Sequence, residues 1–404
     1  MKKAAILCLV LALLCPCLSA LAAKDPEYTI SKKTGTVLQN VPDRHIAVQT
    51  AEEPRAAIPG ESPMTGQLWE GSYLPVLVQI GNNTDTVKVS GNAVKSAGIG
   101  KRSPWGLQYA DILYEEMLSP GGYTRITALF SDCFASGEPA GGVGPVRSCR
   151  IGPMLLREQW QGVLVYGGGM AGSYPMTDER MAWLYTESNA LDWGLLVNFR
   201  APGVFPEIGR AVKAVKSPDN FSVDLLKVRN GVSDAYTAQP RPFLFQNGGV
   251  YGGGYETATT VHLDWGDPDG ISHFVYSEET GTYARYCGVG TNPKKWALYT
   301  AFPAAEDREE ANRISFAFAN VIVQRTEYAY EGGKNQTAVA QIVGSGNADL
   351  FIGGKYIAGY WVHETMDAPT VYYDDQGKEI LLSRGKTYIA QFPAEARLTF
   401  TDGE

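Results

Sequence analysis

The chain has 404 residues, 44% hydrophobic and 19% charged, with a formal net charge of −8 at neutral pH. That is enough apolar sequence for more than one core. The acidic balance speaks against nucleic acid as a partner, because phosphate wants a basic patch, and gives no general attraction to an anionic surface.

The N-terminus comes first. Met1-Lys2-Lys3 is a short basic segment, Ala4 to Leu18 is apolar and leucine-rich, and Ala20-Leu21-Ala22 has the small-x-small pattern of a signal peptidase site. Residues 1–22 are expected to be a signal peptide, which places the chain outside the cytoplasm. It would be secreted, with wall or membrane association as a further option. The apolar run is short for a membrane span of about 20 residues; an uncleaved anchor is the alternative. No other transmembrane segment is expected. Cleavage removes two lysines and no acids, and leaves Cys133, Cys149 and Cys287. At most one disulfide can then form, with Cys133 and Cys149 as candidates if their strands are neighbours. No Cys-x-x-Cys spacing suggests structural zinc.

Residues 23–62 are polar, contain proline and lack periodicity, as in Glu52-Glu53-Pro54-Arg55, and read as a flexible linker. Pro63-Met64-Thr65-Gly66 opens the folded part. Leu74 to Ile80, Ala110 to Glu115, Thr124 to Phe130 and Gly162 to Tyr166 read as strands. Ile151 to Trp160 has helical spacing, and further helices are expected within Asp178 to Tyr185 and Pro206 to Leu226. Strand, helix, strand is the pattern of an α/β layer. The expectation for 63–240 is therefore an α/β domain, a mixed sheet with flanking helices. The Pro- and Gly-rich run Gln239 to Gly254 marks the transition to a β-rich domain over 241–404. Its expected strands are Thr260 to Trp265, Ser272 to Tyr276, Asn320 to Thr326, Ala338 to Val343 and Lys355 to His363. Only Ala304 to Arg313 there reads as helical, with acids leading and arginine trailing.

The chemistry gathers between Ala110 and Arg150. Asp111 and Glu115 are four apart on one strand and so share a face. Arg125, Arg147 and Arg150 offer bidentate partners for carboxylates. Two readings follow: an internal ion-pair network pinning the sheet, or an anion pocket clamped by Arg147 and Arg150. Gly121, Gly122, Gly141, Gly142 and Gly144 would allow close backbone approach to a ligand.

The block Gly121-Gly122-Tyr123-Thr124-Arg125-Ile126-Thr127 with Gly144-Pro145-Val146-Arg147-Ser148-Cys149-Arg150 resembles the YerB-like family of bacterial extracytoplasmic lipoproteins, whose activity is not established. Asn320-Val321-Ile322-Val323-Gln324, Gly344-Ser345-Gly346, Tyr373-Asp374-Asp375-Gln376-Gly377-Lys378-Glu379-Ile380 and Arg384-Gly385-Lys386-Thr387 extend the likeness over about residues 63–393. The family's lipid-modified cysteine follows a small residue; here Leu14 precedes Cys15 and Pro16 precedes Cys17, so a lipoprotein is not expected. Where the family usually has Glu before Gly-Gly, this chain has Ser119-Pro120. Tyr166-Gly167-Gly168 replaces His-Gly-Gly, and Pro218-Asp219-Asn220 replaces Pro-His-Asn. Lost titratable groups favour binding over catalysis.

Other motifs weigh less. Gly167 to Gly172 fits Gly-x-Gly-x-x-Gly, but Ser173-Tyr174-Pro175 delays the helix that a dinucleotide fingerprint needs. Ser383-Arg384-Gly385-Lys386 spells Ser-x-x-Lys in a glycine turn and lacks its companion motifs. His45 lies in the linker, and His262, His273 and His363 lack metal-site spacing. The tryptophans read as packing, with a saccharide platform as the alternative.

The sequence reading is thus a secreted or cell-envelope protein, non-catalytic, binding a cell-wall component or an envelope protein partner, with no cofactor and no metal. Its expected site comprises Asp111, Glu115, Arg125, Arg147, Ser148, Arg150, Tyr166, Gly167, Gly168 and Asn220, with the rim continuing to Gly169. The alternatives are a hydrolase or transferase on wall material, with Glu115 or Asp111 as acid–base group, and a structural module.

Overall fold

The computed structural model describes residues 54–136, 142–168, 190, 192–198, 208–248, 251–266, 270–331 and 337–403. The expected signal peptide, most of the expected linker, the expected helix within Asp178 to Tyr185, and Gly169 lie outside the described residues.

The principal strands in the first half are β1 (Val76–Gly81), β2 (Thr84–Val89), β3 (Asn92–Ala97), β4 (Ile112–Met117), β5 (Thr124–Phe130), β6 (Val163–Tyr166) and β7 (Leu196–Asn198). In the second half they are β8 (Thr260–Asp264), β9 (Ile271–Ser277), β10 (Thr282–Gly288), β11 (Asn320–Thr326), β12 (Gly344–Ile352), β13 (Lys355–His363), β14 (Val371–Asp374), β15 (Thr387–Pro393) and β16 (Leu398–Thr401). Two α-helices, α1 (Ile151–Trp160) and α2 (Leu225–Asn230), are the ones among the described residues.

Strands from both halves form one eleven-stranded sheet. Its order is Glu256–Thr257, β13, β12, β11, β15, β4, β5, β1, β6, β7, with β14 beside β13. The halves meet where β15 runs parallel to β4, with Thr387 opposite Ile112 and Gln391 opposite Glu116. All residues of β4 and β5 are buried, as befits the centre of a sheet covered on both faces. A second sheet has six strands: Ala297–Leu298, β10, β9, β8 and β16 in order, with Ala317–Phe318 added to β10.

The expected α/β domain with flanking helices is corrected by this architecture. The fold is mostly β, because much of what covers the large sheet is another sheet. On one face Tyr388 packs on Phe274 (ring centroids 4.7 Å apart) and Phe392 on Trp265 (4.8 Å), a sheet-on-sheet contact. A buried aromatic removes about 150–250 Å² from water, worth a few kcal/mol at roughly 25 cal/mol per Å². On the other face α1 supplies Trp160, whose indole N–H donates to the Tyr114 hydroxyl at 3.0 Å. Two other helical expectations also change. Ala304 to Arg313 holds only the 3-10 turn Glu310–Asn312. Pro206 to Leu226 contains the short paired strands Gly209–Ala211 and Phe221–Val223, and α2 begins only at its end, where Asp224 accepts from the Lys227 N–H. Acids leading an arginine set a helix's ends, but without an apolar face to bury they do not create one. Among the described residues no helix is long and apolar enough to cross a membrane.

Candidate functional site

Side chains alternate along β4, so consecutive residues face different layers. Glu115 points with Leu113 toward the six-stranded sheet and meets a residue from the second half of the chain, Arg285 of β10. The guanidinium Nη2 lies 2.6 Å from Glu115 Oε2, and both side chains are almost fully buried. The Tyr388 hydroxyl donates to Oε2 at 2.6 Å; Oε1 accepts from Thr124 Oγ1 at 2.6 Å and Asn82 Nδ2 at 3.2 Å. Arg285 also lies over the Tyr299 ring, 4.2 Å from its centroid. The adjoining cavity is about 10 Å³, room for roughly one water. Glu115 is therefore a saturated carboxylate in a bolt between the two sheets.

Asp111 lies just before the start of β4 and does different work. Its Oδ2 accepts from the Ser131 and Asp132 N–H groups at 2.6 and 3.0 Å, tying down the end of β5. Asp132 accepts in turn from Ser62 Oγ and Thr65 Oγ1 at 2.7 and 2.6 Å, so the pair clasps the opening of the folded region. Burial, then the neighbouring Asp132 charge, pushes the Asp111 carboxyl up to about 7.

The arginines gather on the opposite face of the large sheet, around a residue that the sequence reading passed over. Glu116 stands directly across from Arg125 on β5 and is 4% exposed. Arg125 donates through Nη1 to the Ser148 carbonyl at 2.6 Å, and Arg150 through Nη1 to the Cys149 carbonyl at 2.9 Å. Arg147 pairs with Asp219, which also accepts from Asn83 Nδ2 at 2.7 Å. Burial, then repulsion from Arg147 and Arg150, lowers Arg125 to about 9. Positive charge is in excess here.

The glycines are backbone-paired beside this cluster. The Gly167 N–H donates to the Arg147 carbonyl at 2.9 Å, the Cys149 N–H to the Gly168 carbonyl at 3.0 Å, and the Gly168 N–H to Asn198 Oδ1 at 2.9 Å. Ser148 contributes its carbonyl, and Tyr166 is buried on β6. Asn220 follows Asp219, and its buried Oδ1 has no hydrogen-bond partner. Gly144 serves packing, since a Cβ there would lie 2.3 Å from the Trp105 ring.

Three features leave this cluster unsatisfied. No described cation lies within 4.0 Å of the Glu116 carboxylate, and its Oε1 has no hydrogen-bond partner. Nε of Arg125, Nε of Arg150 and both amide atoms of Gln391 are likewise buried without partners. The carboxylate sits at the start of α1: a Cβ on Gly152 would fall 2.3 Å from Glu116 Oε2 and 3.8 Å from Gln391 Oε1. Arg150, the residue before that helix, gives it no side-chain cap. Burial pushes the Glu116 carboxyl up to about 7, although Arg125 and Arg150 pull against the rise. An arginine cluster beside a helix start that lacks a side-chain cap suits an anion.

Of the expected residues, the structure brings Arg125, Arg147, Ser148, Arg150, Gly167 and Gly168 together and sends Glu115 and Asp111 elsewhere. Glu116 and Gln391 are the members the sequence reading missed; Asp219 it named only as the residue in place of a family histidine, and that residue does accept, from Asn83 and Arg147. Glu116 was within reach, since it needs only the other parity of the same strand. Gln391 comes from the far half and needs the β4–β15 register.

Elsewhere, His262 and His273 face each other with Nδ1 atoms 2.7 Å apart, and His273 stacks on Trp296 at 3.9 Å. Burial lowers them to about 4 and about 3. Cys133, Cys149 and Cys287 are free thiols. Among the described residues no three His, Cys, Asp or Glu side chains converge as metal ligands would.

Two family models match the chain. One is described as the N-terminal domain of a protein of unknown function (DUF3048), over residues 93–196, and the other as its C-terminal domain, over 261–389. The fold is similar to the crystal structure of the YerB protein from Bacillus subtilis, with a TM-score of 0.60 and 19% identity, covering 84% of this chain and 99% of that one. At that identity the likeness speaks for the fold alone. No curated protein matches.

Proposed function

The chain belongs to the YerB-like family of proteins of unknown function (DUF3048), and from that premise we propose that it is a non-catalytic binder of an anionic ligand at Arg125, Arg147 and Arg150. The N-terminal segment supports a place outside the cytoplasm, so the favoured ligand is a carboxylate- or phosphate-bearing component of the cell wall. The observation that carries the reading is the excess of guanidinium around an uncapped helix start, with Arg125 buried, Arg147 and Arg150 half-buried, and Nε of Arg125 and Nε of Arg150 unpartnered. Such donors cost about 1–3 kcal/mol each when left unmade, and an anion supplies what they lack.

Catalysis is the poorer reading. Glu115 is saturated by four donors, and Asp111 is spent on two backbone N–H groups. Asp219, at the position of the family histidine, holds Arg147 and Asn83. The Glu115–Arg285 bolt favours a structural role for that part of the acid set.

Thermal-shift titration of the full chain with phosphate, acetate and soluble wall fragments tests the proposal. A ligand at 100 times its Kd adds about 2.7 kcal/mol of stability. The shift should fall at least tenfold in apparent affinity in Arg147→Ala and Arg150→Ala. Undiminished binding in both variants, folded by circular dichroism, overturns the proposal.

A further inference from the structure

The anion reading leaves Glu116 unexplained. A cluster built only to hold an anion would gain by having no carboxylate at its centre, since a like charge opposes the ligand. Yet Glu116 is buried across from Arg125, lies at the opening of α1, and has no described cation within 4.0 Å. Opposite charges that face each other in a buried place without pairing each lack a partner that one bound group could supply.

The surroundings of Glu116 are polar in a definite way. Gln391 is 1% exposed, and neither its amide N–H₂ nor its carbonyl has a partner. Its Oε1 lies on the same side of Gly152 as Glu116 Oε2, 3.8 Å and 2.3 Å respectively from where a Cβ on that glycine would stand. One end of the cluster therefore offers two oxygen acceptors, a carboxylate and an amide carbonyl. The other end offers guanidinium donors. A ligand matching both ends carries a cation and an anion a few bonds apart.

We propose that this site recognises an α-amino-carboxylate: the ammonium lies against Glu116 and Gln391 Oε1, and the carboxylate against Arg125 and Arg150. The inference rests on the anion-binding reading and narrows it to a zwitterion. Two sources present this chemistry, a free amino acid and the uncross-linked end of a diamino acid in a wall peptide.

The test compares alanine with propionate, which keeps the carboxylate and replaces the ammonium by hydrogen. Isothermal titration of the full chain should show alanine binding at least tenfold more tightly than propionate. In Glu116→Gln that ratio should fall to near one. A third titration, with a soluble muropeptide bearing a free diamino-acid end, separates the sources: tighter binding than alanine assigns the wall peptide, weaker binding the free amino acid. Equal binding of alanine and propionate to the unaltered chain overturns this inference and leaves the anion reading standing. No binding of either, with none of phosphate or wall fragments, overturns both. Should Glu116→Gln not fold, the alanine-to-propionate ratio of the unaltered chain, with ethylammonium as the ammonium-only control, still decides.

Discussion

Glu115 and Glu116 are neighbours in the chain and both buried, but their surroundings are opposite. Glu115 has an arginine, a tyrosine hydroxyl, a threonine hydroxyl and an asparagine amide around it. Removing one partner of such a pair strands the other charge, at a cost of about 3–5 kcal/mol, whereas replacing both by apolar residues is often neutral. Urea unfolding should therefore show Glu115→Ala and Arg285→Ala each losing that much, and Glu115→Leu with Arg285→Met recovering most of it. Equal losses in single and paired variants would contradict the bolt. Glu116 should behave in the opposite way. Its carboxyl is raised by burial from 4.5 to about 7, so the unfolded chain ionises first as pH rises. The resulting cost begins near pH 4.5 and is complete above about 7. Glu116→Gln should stabilise the protein at pH 8 by roughly 1–3 kcal/mol, because each tenfold change in proton affinity is worth about 1.4 kcal/mol. The gain should vanish by pH 4. The His262–His273 pair, lowered to about 4 and about 3, works in the reverse sense: it costs stability as pH falls below 6.5. The measurement is thus variant against unaltered chain at each pH, and a gain independent of pH would refute the assignment.

At the scale of elements, Gly152 shows a tertiary contact overriding a local preference. Alanine is better than glycine inside a helix by about 1 kcal/mol. At this position a Cβ meets the Glu116 carboxylate at 2.3 Å, and the helix has no slack because all ten of its residues are buried. Gly152→Ala should lower the denaturation midpoint, and adding Glu116→Ala should restore much of the loss; a stabilising Gly152→Ala would show that the carboxylate moves freely. Most elements were legible from periodicity. Thr124–Phe130, Asn320–Thr326, Lys355–His363 and the helix Ile151–Trp160 have the bounds that the apolar pattern gives. Gly344–Ile352 was not legible, because it opens Gly-Ser-Gly-Asn and carries Asp349 inward. That acid is tolerated because Arg325, on the neighbouring strand, donates to it at 2.8 Å.

For the whole molecule, the decisive contact is the parallel pairing of β4 with β15. It completes the large sheet, brings Tyr388 to Glu115 and Gln391 to the Glu116 side, and joins sequence from either side of residue 240. A fragment ending at residue 240 leaves β4 as an edge with unpaired backbone groups and the buried Glu115 without Arg285 and Tyr388. It should show no cooperative urea transition, while the full chain unfolds in one transition by both fluorescence and circular dichroism. A fragment of residues 54–240 that unfolds cooperatively would show that the seam is dispensable.

What the sequence alone determined was local: which segments extend, where the helix Ile151–Trp160 lies, that a set of acids and arginines would need partners, and which family the motifs resemble. Period-two alternation and turn chemistry are written in adjacent residues, so they can be read there. What only the tertiary structure decided was which acid meets which arginine, and that a sheet rather than helices covers one face. A shift of one residue turns a strand's side chains to the opposite layer. Arg285 and Gln391 reach β4 only through strand pairings distant in the chain, and no short-range pattern encodes that register.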